Sequence, residues 1–339
     1  MGIKDFYKFL KTKYPECFVY MDYSSFSYQK IAIDMMNLMY IYRSKSEKDW
    51  IAYVLRFMLK LRKQYIHPVC VFDGTSHPLK ELTVKKRREE REKGKNRVER
   101  LRTDLDIYKT TFQVGDSLKE LMRYKPELYE DSKPVPKKIE EYLEKLYKNY
   151  NLSFKYTDIE LLKLLLSNLG LNVIVAENDA EAYCSYLSSS GQVCTILSND
   201  SDVFFFGAKS VLFKFNEEGG FLITFDEILK KMELTREQFV DVCLLCGTDF
   251  NIPIKGYGLA KSLVMIKKFN SISNKEMPLY SQLDHELLEQ IRDFTVCKEV
   301  CSKYSRPVDI KNMSIELFKN QIKLNPNELK IPYSQLEFI

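Results

Sequence analysis

Acidic residues stand just past four short apolar runs of this chain. They are Asp34 after Ile31-Ala32-Ile33, Asp73 after Val69 to Phe72, Asp179 and Glu181 downstream of Val173 to Val175, and Asp200 and Asp202 after Val193 to Leu197. Each run is short and largely β-branched, the pattern of a buried strand. Helical patterns separate them, so the runs belong to a parallel sheet whose carboxyl ends share one edge, where α/β folds place their ligands. One Asp there is most often a helix cap or turn former. Six converging carboxylates cannot all stay ionised without a counter-ion, and divalent cations supply it economically. Two metals about 4 Å apart can activate a water and stabilise the leaving oxygen of a phosphodiester.

Other ligand chemistry is poorly served. Three histidines, His67, His77 and His285, are too few for a histidine site, so any metal must sit on carboxylates, which suits Mg2+ or Mn2+. The eight cysteines fall mostly within apolar stretches and read as reduced core thiols. A four-cysteine zinc site from Cys243, Cys246, Cys297 and Cys301 is conceivable, but both pairs look helical and lack the usual flanking turns.

The elements that must position the acids follow from periodicity. Asp49 to Tyr65 repeats apolar residues at helical spacing. Thr157 to Glu160 reads as a capping box opening a leucine-rich helix closed by Gly170. Ser210 to Phe215 and Gly220 to Phe225 read as a hairpin, and from Thr235, which opens a second box with Gln238, the pattern turns helical. Residues from Lys80 to Tyr150 break the rhythm, as two charged helical stretches around a loop with Pro126, Pro134 and Pro136. Lys80 to Arg102 holds eleven basic and five acidic residues, so this segment accounts for the whole net charge of +5. A solvated helix with i,i+4 pairs would have such a composition, and so would a surface that grips a polyanion. Beside an acidic metal edge, the second reading suggests a nuclease.

With 339 residues, 45% hydrophobic and 29% charged, the composition is that of a globular chain with room for about two domains, not a disordered or fibrous one. No run approaches the roughly 18 apolar residues of a membrane span, and residues 1–6 lack a signal-peptide core, so an intracellular protein is expected.

Taken in order, Met1-Gly2-Ile3, Asp34 in IAIDMMNLMY, VFDG at 71–74, DAEA at 179–182, SNDSDVFFFGA at 198–208, CGTDF at 246–250 and GYG at 256–258 carry a resemblance. Over most of residues 1–275 the chain resembles the flap endonuclease and xeroderma-pigmentosum-G-type structure-specific 5′ nucleases. The resemblance implies an α/β fold with a parallel-sheet PIN-like nuclease core over 1–232, including a helical arch insertion at about 80–150. It further implies a helix-two-turn-helix DNA-binding region over 233–275, with a helical C-terminal extension at 276–339. It adds Asp249 as a seventh acid. Asp34, Asp73, Asp179 and Glu181 would serve mainly one Mg2+, and Asp200, Asp202 and Asp249 the other, with Mn2+ able to substitute. The family usually has Glu at the position of Asp179, which leaves Glu177 as a competing ligand.

Among other residues, the resemblance implies that Lys80 and Arg87, seven apart on one helical face, reach the scissile phosphate, and that Tyr40 stacks on a base beside the cut. DNA contacts would come from Gly2, Lys85, Lys86, Arg88, Gly256, Gly258 and Lys261, with K+ at the Gly256–Gly258 turn, although Leu259 and Ser262 depart from the pattern expected there. The expected partner is branched or nicked duplex DNA with a 5′ flap, met by a monomer without a recognisable sliding-clamp peptide. A 5′-3′ exonuclease and a four-way-junction resolvase share these motifs. A silent nucleic-acid-binding relative is the alternative of another class, against which all seven acids argue. Abundant Lys, Asn, Ile, Tyr and Phe with few Gly point to an A/T-rich eukaryote or a large DNA virus, hence to a nucleus or to cytoplasmic replication sites.

Overall fold

Strands buried on both faces of a parallel sheet need continuous apolar sequence, and the central runs of this chain provide it. The computed structural model describes residues 2–282. The elements begin with α1 (Phe6–Lys13), β1 (Val19–Asp22), β2 (Lys30–Asp34), α2 (Met35–Lys45), α3 (Trp50–Lys63) and β3 (His67–Phe72). Next come α4 (Glu81–Thr111), α5 (Asp116–Tyr124), β4 (Tyr129–Glu130), β5 (Lys133–Pro134) and α6 (Pro136–Asn151). The chain continues with α7 (Tyr156–Asn168), β6 (Asn172–Val175), α8 (Ala180–Ser189), β7 (Thr195–Leu197), α9 (Asp202–Phe205), β8 (Ser210–Phe213) and β9 (Gly219–Thr224). Three helices follow, α10 (Phe225–Met232), α11 (Arg236–Cys246) and α12 (Leu259–Phe269). Among the described residues no helix is long and apolar enough to cross a membrane.

Seven strands form one sheet in the order β1-β9-β8-β7-β2-β3-β6. β8, β7, β2, β3 and β6 are parallel, with Ile33 opposite both Leu197 and Cys70, whereas β9 lies antiparallel between β1 and β8. The α/β parallel-sheet expectation and the β8–β9 hairpin therefore hold. From β2 the chain moves outward to β3 and β6, then returns to the other side of β2 as β7. That reversal opens a crevice at the carboxyl ends of β2 and β7. Ile31, Ile33, Leu38, Val69, Val71, Ile196 and Phe204 are fully buried there or behind it, and α3 turns Trp50, Val54, Phe57, Met58 and Leu61 inward. Truncating such a residue, as in Phe204→Ala, costs roughly 3–5 kcal/mol.

Some local expectations change. The Thr235–Gln238 box forms, with Thr235 Oγ1 accepting the Gln238 N–H at 3.2 Å and Gln238 Oε1 accepting the Thr235 N–H at 2.9 Å. Thr157 lies inside α7, which already begins at Tyr156. β1 was not expected. It is an edge strand with Val19 and Tyr20 exposed, so burial imposes no clear alternation on it.

Val84–Lys155 makes up a separate compact unit. It contains three helices and a short hairpin rather than two helical stretches and a loop, because the prolines begin elements: Pro126 opens a 3-10 turn and Pro136 opens α6. Its own core joins Val98, Leu101 and Leu105 of α4, Leu118 and Leu121 of α5, and Ile139 and Leu143 of α6. Residues 283–339, including Cys297, Cys301, His285 and most of the expected C-terminal extension, lie outside the described residues.

Candidate active site

Asp34 ends β2 and caps α2. Its Oδ1 accepts the Asn37 N–H at 3.1 Å, and its Oδ2 accepts the hydroxyl of Ser198, just past β7, at 3.0 Å. Ser198 in turn accepts the Asp200 N–H, and Asp200 Oδ1 accepts the Asp202 N–H, both at 3.0 Å. These bonds lace together the ends of the two strands at the switch point. Asp73, after β3, accepts the Ala180 N–H at 2.7 Å and so ties its strand to α8, whose N-cap is Asp179 and whose first turn carries Glu181. Asp249 lies in the turn after α11, and its N–H donates to Asp202 Oδ2 at 3.4 Å.

The acids are out of water and close to one another. Burial, then Asp73 and Asp200, push Asp34 up to about 7. Burial and the neighbouring carboxylates also raise Asp202 well above the ordinary range, and burial raises Asp200 and Glu181. Carboxylates of Glu181, Asp202 and Asp249 each offer an oxygen within 4.8 Å of the others. Asp202 Oδ1 and Asp179 Oδ2 are buried without a hydrogen-bond partner. An all-oxygen set with orphaned buried atoms fits a hard divalent cation.

One cation is built in. Lys80 is 8% exposed, and its Nζ lies 2.8 Å from Asp179 Oδ1 and 2.7 Å from Glu181 Oε1. Burial alone would lower Lys80, but Glu181 and Asp179 outweigh it and hold the ammonium well above its usual range. The ammonium also sits over the Phe250 ring, 4.7 Å from its centroid.

With this geometry in hand, residues 1–94 match the XPG N-terminal domain and residues 170–249 the XPG I-region, together just over half of the chain. The chain belongs to the XPG family of structure-specific 5′ nucleases. It is 29% identical over 321 residues to a probable RAD2-like endonuclease, 369L, of invertebrate iridescent virus 6, covering 81% of this chain and 73% of that one. It is 25% identical to flap endonuclease 1-1 of Paramecium tetraurelia, covering 92% of this chain and 82% of the relative. In fold it is similar to the catalytic core of Rad2 in complex with DNA substrate, at 20% identity and TM-score 0.58 over the full length of both chains.

In this XPG-family chain the site residues expected from sequence are distributed as follows. Asp34, Asp179, Glu181, Asp200, Asp202 and Asp249 are drawn together with Lys80, and Asp73 stands more open to solvent beside them. Glu181 offers an oxygen close to those of Asp202 and Asp249, whereas the family resemblance groups it with Asp34, Asp73 and Asp179. Asp179 is buried, whereas Glu177 is exposed and its carbonyl accepts from Thr75. Gly2 packs on the cluster: a Cβ there would stand 2.3 Å from Asp200 Oδ1, at φ +79. Tyr40 is half-buried on α2, while Tyr42 is the core aromatic, stacked on Tyr53.

Arg87, Lys85, Lys86 and Arg88 all lie in the second unit, the last three of them exposed. Lys261 sits over the Tyr257 ring, and Gly258 caps α12. Cys243 and Cys246 are buried in α11. Ser198, Asn37 and Phe250 escaped the sequence reading. Ser198 and Asn37 hold the backbone on either side of the acids, and only their places within SND and IDMMN could have pointed to them.

Proposed function

We propose that the protein hydrolyses DNA phosphodiesters at the junction of a 5′ flap, with two Mg2+ ions at the acidic edge and Mn2+ able to replace them. The observation that carries this reading is the cluster of six buried or half-buried carboxylates at the switch point, two of which, Asp179 and Glu181, pair with the buried Lys80. Asp34, Asp73, Asp179, Glu181, Asp200, Asp202 and Asp249 would hold the ions, with Glu181, Asp202 and Asp249 close enough to share one. Such ions, when bound, lower the pKa of water and stabilise the leaving oxygen.

The rest falls to the chain's own side chains. Lys80 keeps its proton and donates hydrogen bonds to phosphate oxygens as charge develops on them. The family resemblance assigns Arg87 to phosphate as well. Tyr40 stacks on a base next to the cut, which any base permits. Affinity comes from phosphate contacts. Lys4, Lys8, Lys255 and Lys261 line a groove of about 790 Å3 beside the Gly256–Gly258 turn. Gly256 has φ +83, and a Cβ at either glycine would meet nothing within 4 Å, so a duplex backbone, with K+ at the same turn, can approach the N–H groups that open α12. The second unit acts as the arch over the single-stranded 5′ end, with Lys85, Lys86 and Arg88 on phosphates, and Gly2 borders the path. The protein works as a monomer inside the cell. Its relative in an iridescent virus supports a viral source.

A cleavage panel tests this reading. Flap, nicked, gapped, blunt and four-way substrates are offered with Mg2+ or with excess chelator. Cutting is expected near the 5′-flap junction, with little action on a 3′ flap, none in chelator, and strong inhibition by a bulky block placed on the 5′ end beforehand. Equal cutting of blocked and free flaps would overturn the closed arch in favour of a junction resolvase, and stepwise release of mononucleotides from blunt duplex would favour an exonuclease. Full activity in chelator would end the metal reading.

A further inference from the structure

The Lys80 ammonium has three partners among the described residues, and two of them are also wanted by metal. Its ammonium is held at 2.8 Å and 2.7 Å by Asp179 and Glu181, and Glu181 is one of the three acids whose oxygens converge. Any divalent ion that draws on these carboxylates takes away part of the attraction that holds a side chain with four rotatable carbon-carbon bonds. The third partner is uncharged. Phe250 offers its ring face 4.7 Å below the ammonium and competes for no metal.

The ring is itself well held. Phe250 is 3% exposed, its N–H donates to Thr248 Oγ1 at 3.2 Å, and it directly follows Asp249. Phe206 meets it edge-on at 5.5 Å, Phe205 stacks at 6.5 Å and His77 touches its edge at 5.9 Å. A ring clamped by α9 and its C-cap, on the turn that carries one acid, fixes a lysine to the same frame as that acid.

We propose that Phe250 is a positioning residue for Lys80: its π face keeps the ammonium aimed into the cleft once the carboxylates are given over to metal. The inference rests on the reading that Lys80 acts on the scissile phosphate. It assigns a role to an aromatic residue that neither holds metal nor need touch DNA.

Single-turnover cleavage of a 5′ flap in Mg2+ tests it, with enzyme in excess and DNA dissociation constants measured in parallel. Phe250→Leu should slow the chemical step about tenfold and leave DNA affinity within about twofold, the size of a desolvated cation–π contact. Phe250→Tyr should restore most of the rate. In a Lys80→Ala background, Phe250→Leu should cause no further loss. An equal tenfold loss in both backgrounds would overturn the proposal and reduce the ring to packing of the Thr248–Asn251 turn. Should Phe250→Leu fail to fold, progressively fluorinated phenylalanines at position 250 keep the shape while draining the π face. The rate should then fall stepwise with fluorine count, and a flat series would overturn the proposal. A Lys80→Ala enzyme with the wild-type rate would instead remove the reading of Lys80 on which the inference stands.

Discussion

Two regions of this chain use the same residue types in opposite ways. In the second unit, lysines and acids pair on the surface, as in Lys119 with Asp116 at 2.9 Å and Lys138 with Glu130 at 3.0 Å, where water and salt screen them. At the sheet edge, six carboxylates are largely withdrawn from solvent, and two of them pair with the buried Lys80 ammonium. Surface pairs cost little and contribute little. The buried set, when ionised, opposes folding, which is the mark of groups held for function rather than for stability. The contrast is therefore one of solvation, and each region should respond differently to the same kind of perturbation.

The largest contrast is expected in activity. Asp200→Asn removes charge from a carboxylate that orders the Asp202 N–H, and Asp73→Ala removes the acceptor that ties β3 to α8. Each should lower the cleavage rate on the order of 10^3-fold while DNA binding stays within a few fold, since affinity comes from basic contacts to phosphates. Wild-type rates from both variants, measured under single-turnover conditions, would break the metal assignment. Asp116→Asn in the second unit should leave the rate unchanged.

Next in size is the pH dependence of stability. Asp34 is raised to about 7 by burial and by Asp73 and Asp200. A folded-state value above the unfolded one means that the stability is fully present below about pH 4 and is lost as pH rises through about 7. A shift of about three units is worth roughly 4 kcal/mol, and the raised Asp200, Asp202 and Glu181 act in the same direction. In chelator, the urea midpoint should fall between pH 5 and pH 8. Excess Mg2+ should flatten that fall, and Asp34→Asn should reduce it. A midpoint that stays level in chelator would mean that the acids ionise without penalty.

Much of this was legible in the sequence, and the rest was hidden for identifiable reasons. β2, β3 and β7 could be read because a strand covered on both faces must be continuously apolar, and their acids followed within five residues. Those positions needed only the rule that parallel strands share an edge. The pairing of Lys80 with Glu181 spans 101 residues of sequence and is visible in no local pattern. Phe250 reads as an ordinary core aromatic, and only its place under an ammonium gives it another role. The core of the second unit was masked because Val98, Leu101 and Leu105 of α4 are set among charges that dominate the helix.

That core gives the third prediction. Leu105 is 2% exposed and belongs to the hydrophobic cluster of its own unit. Leu105→Ala should cost about 3 kcal/mol in the second unit. Hydrogen exchange should show it as faster exchange over Val84–Lys155, with protection of β2 and β7 retained. Uniform loss of protection in both regions would mean that the two unfold as one cooperative body.

The smallest effect is expected from the surface pairs themselves. Lys119 lies three residues from Asp116 on α5, and both side chains are mostly in water, at 61% and 97% exposure. The attraction that lowers Asp116 is thus set against full hydration of both groups and against the freedom that a long side chain surrenders to keep one geometry. Lys119→Ala should leave the melting midpoint unchanged, in low salt and in 0.5 M NaCl alike. DNA binding by the intact protein should still weaken steeply over that salt range, because phosphate contacts release counterions whereas an intrahelical pair does not. If Lys119→Ala lowers the midpoint by several degrees, the second unit depends on its surface charges for stability, and solvation no longer separates the two regions.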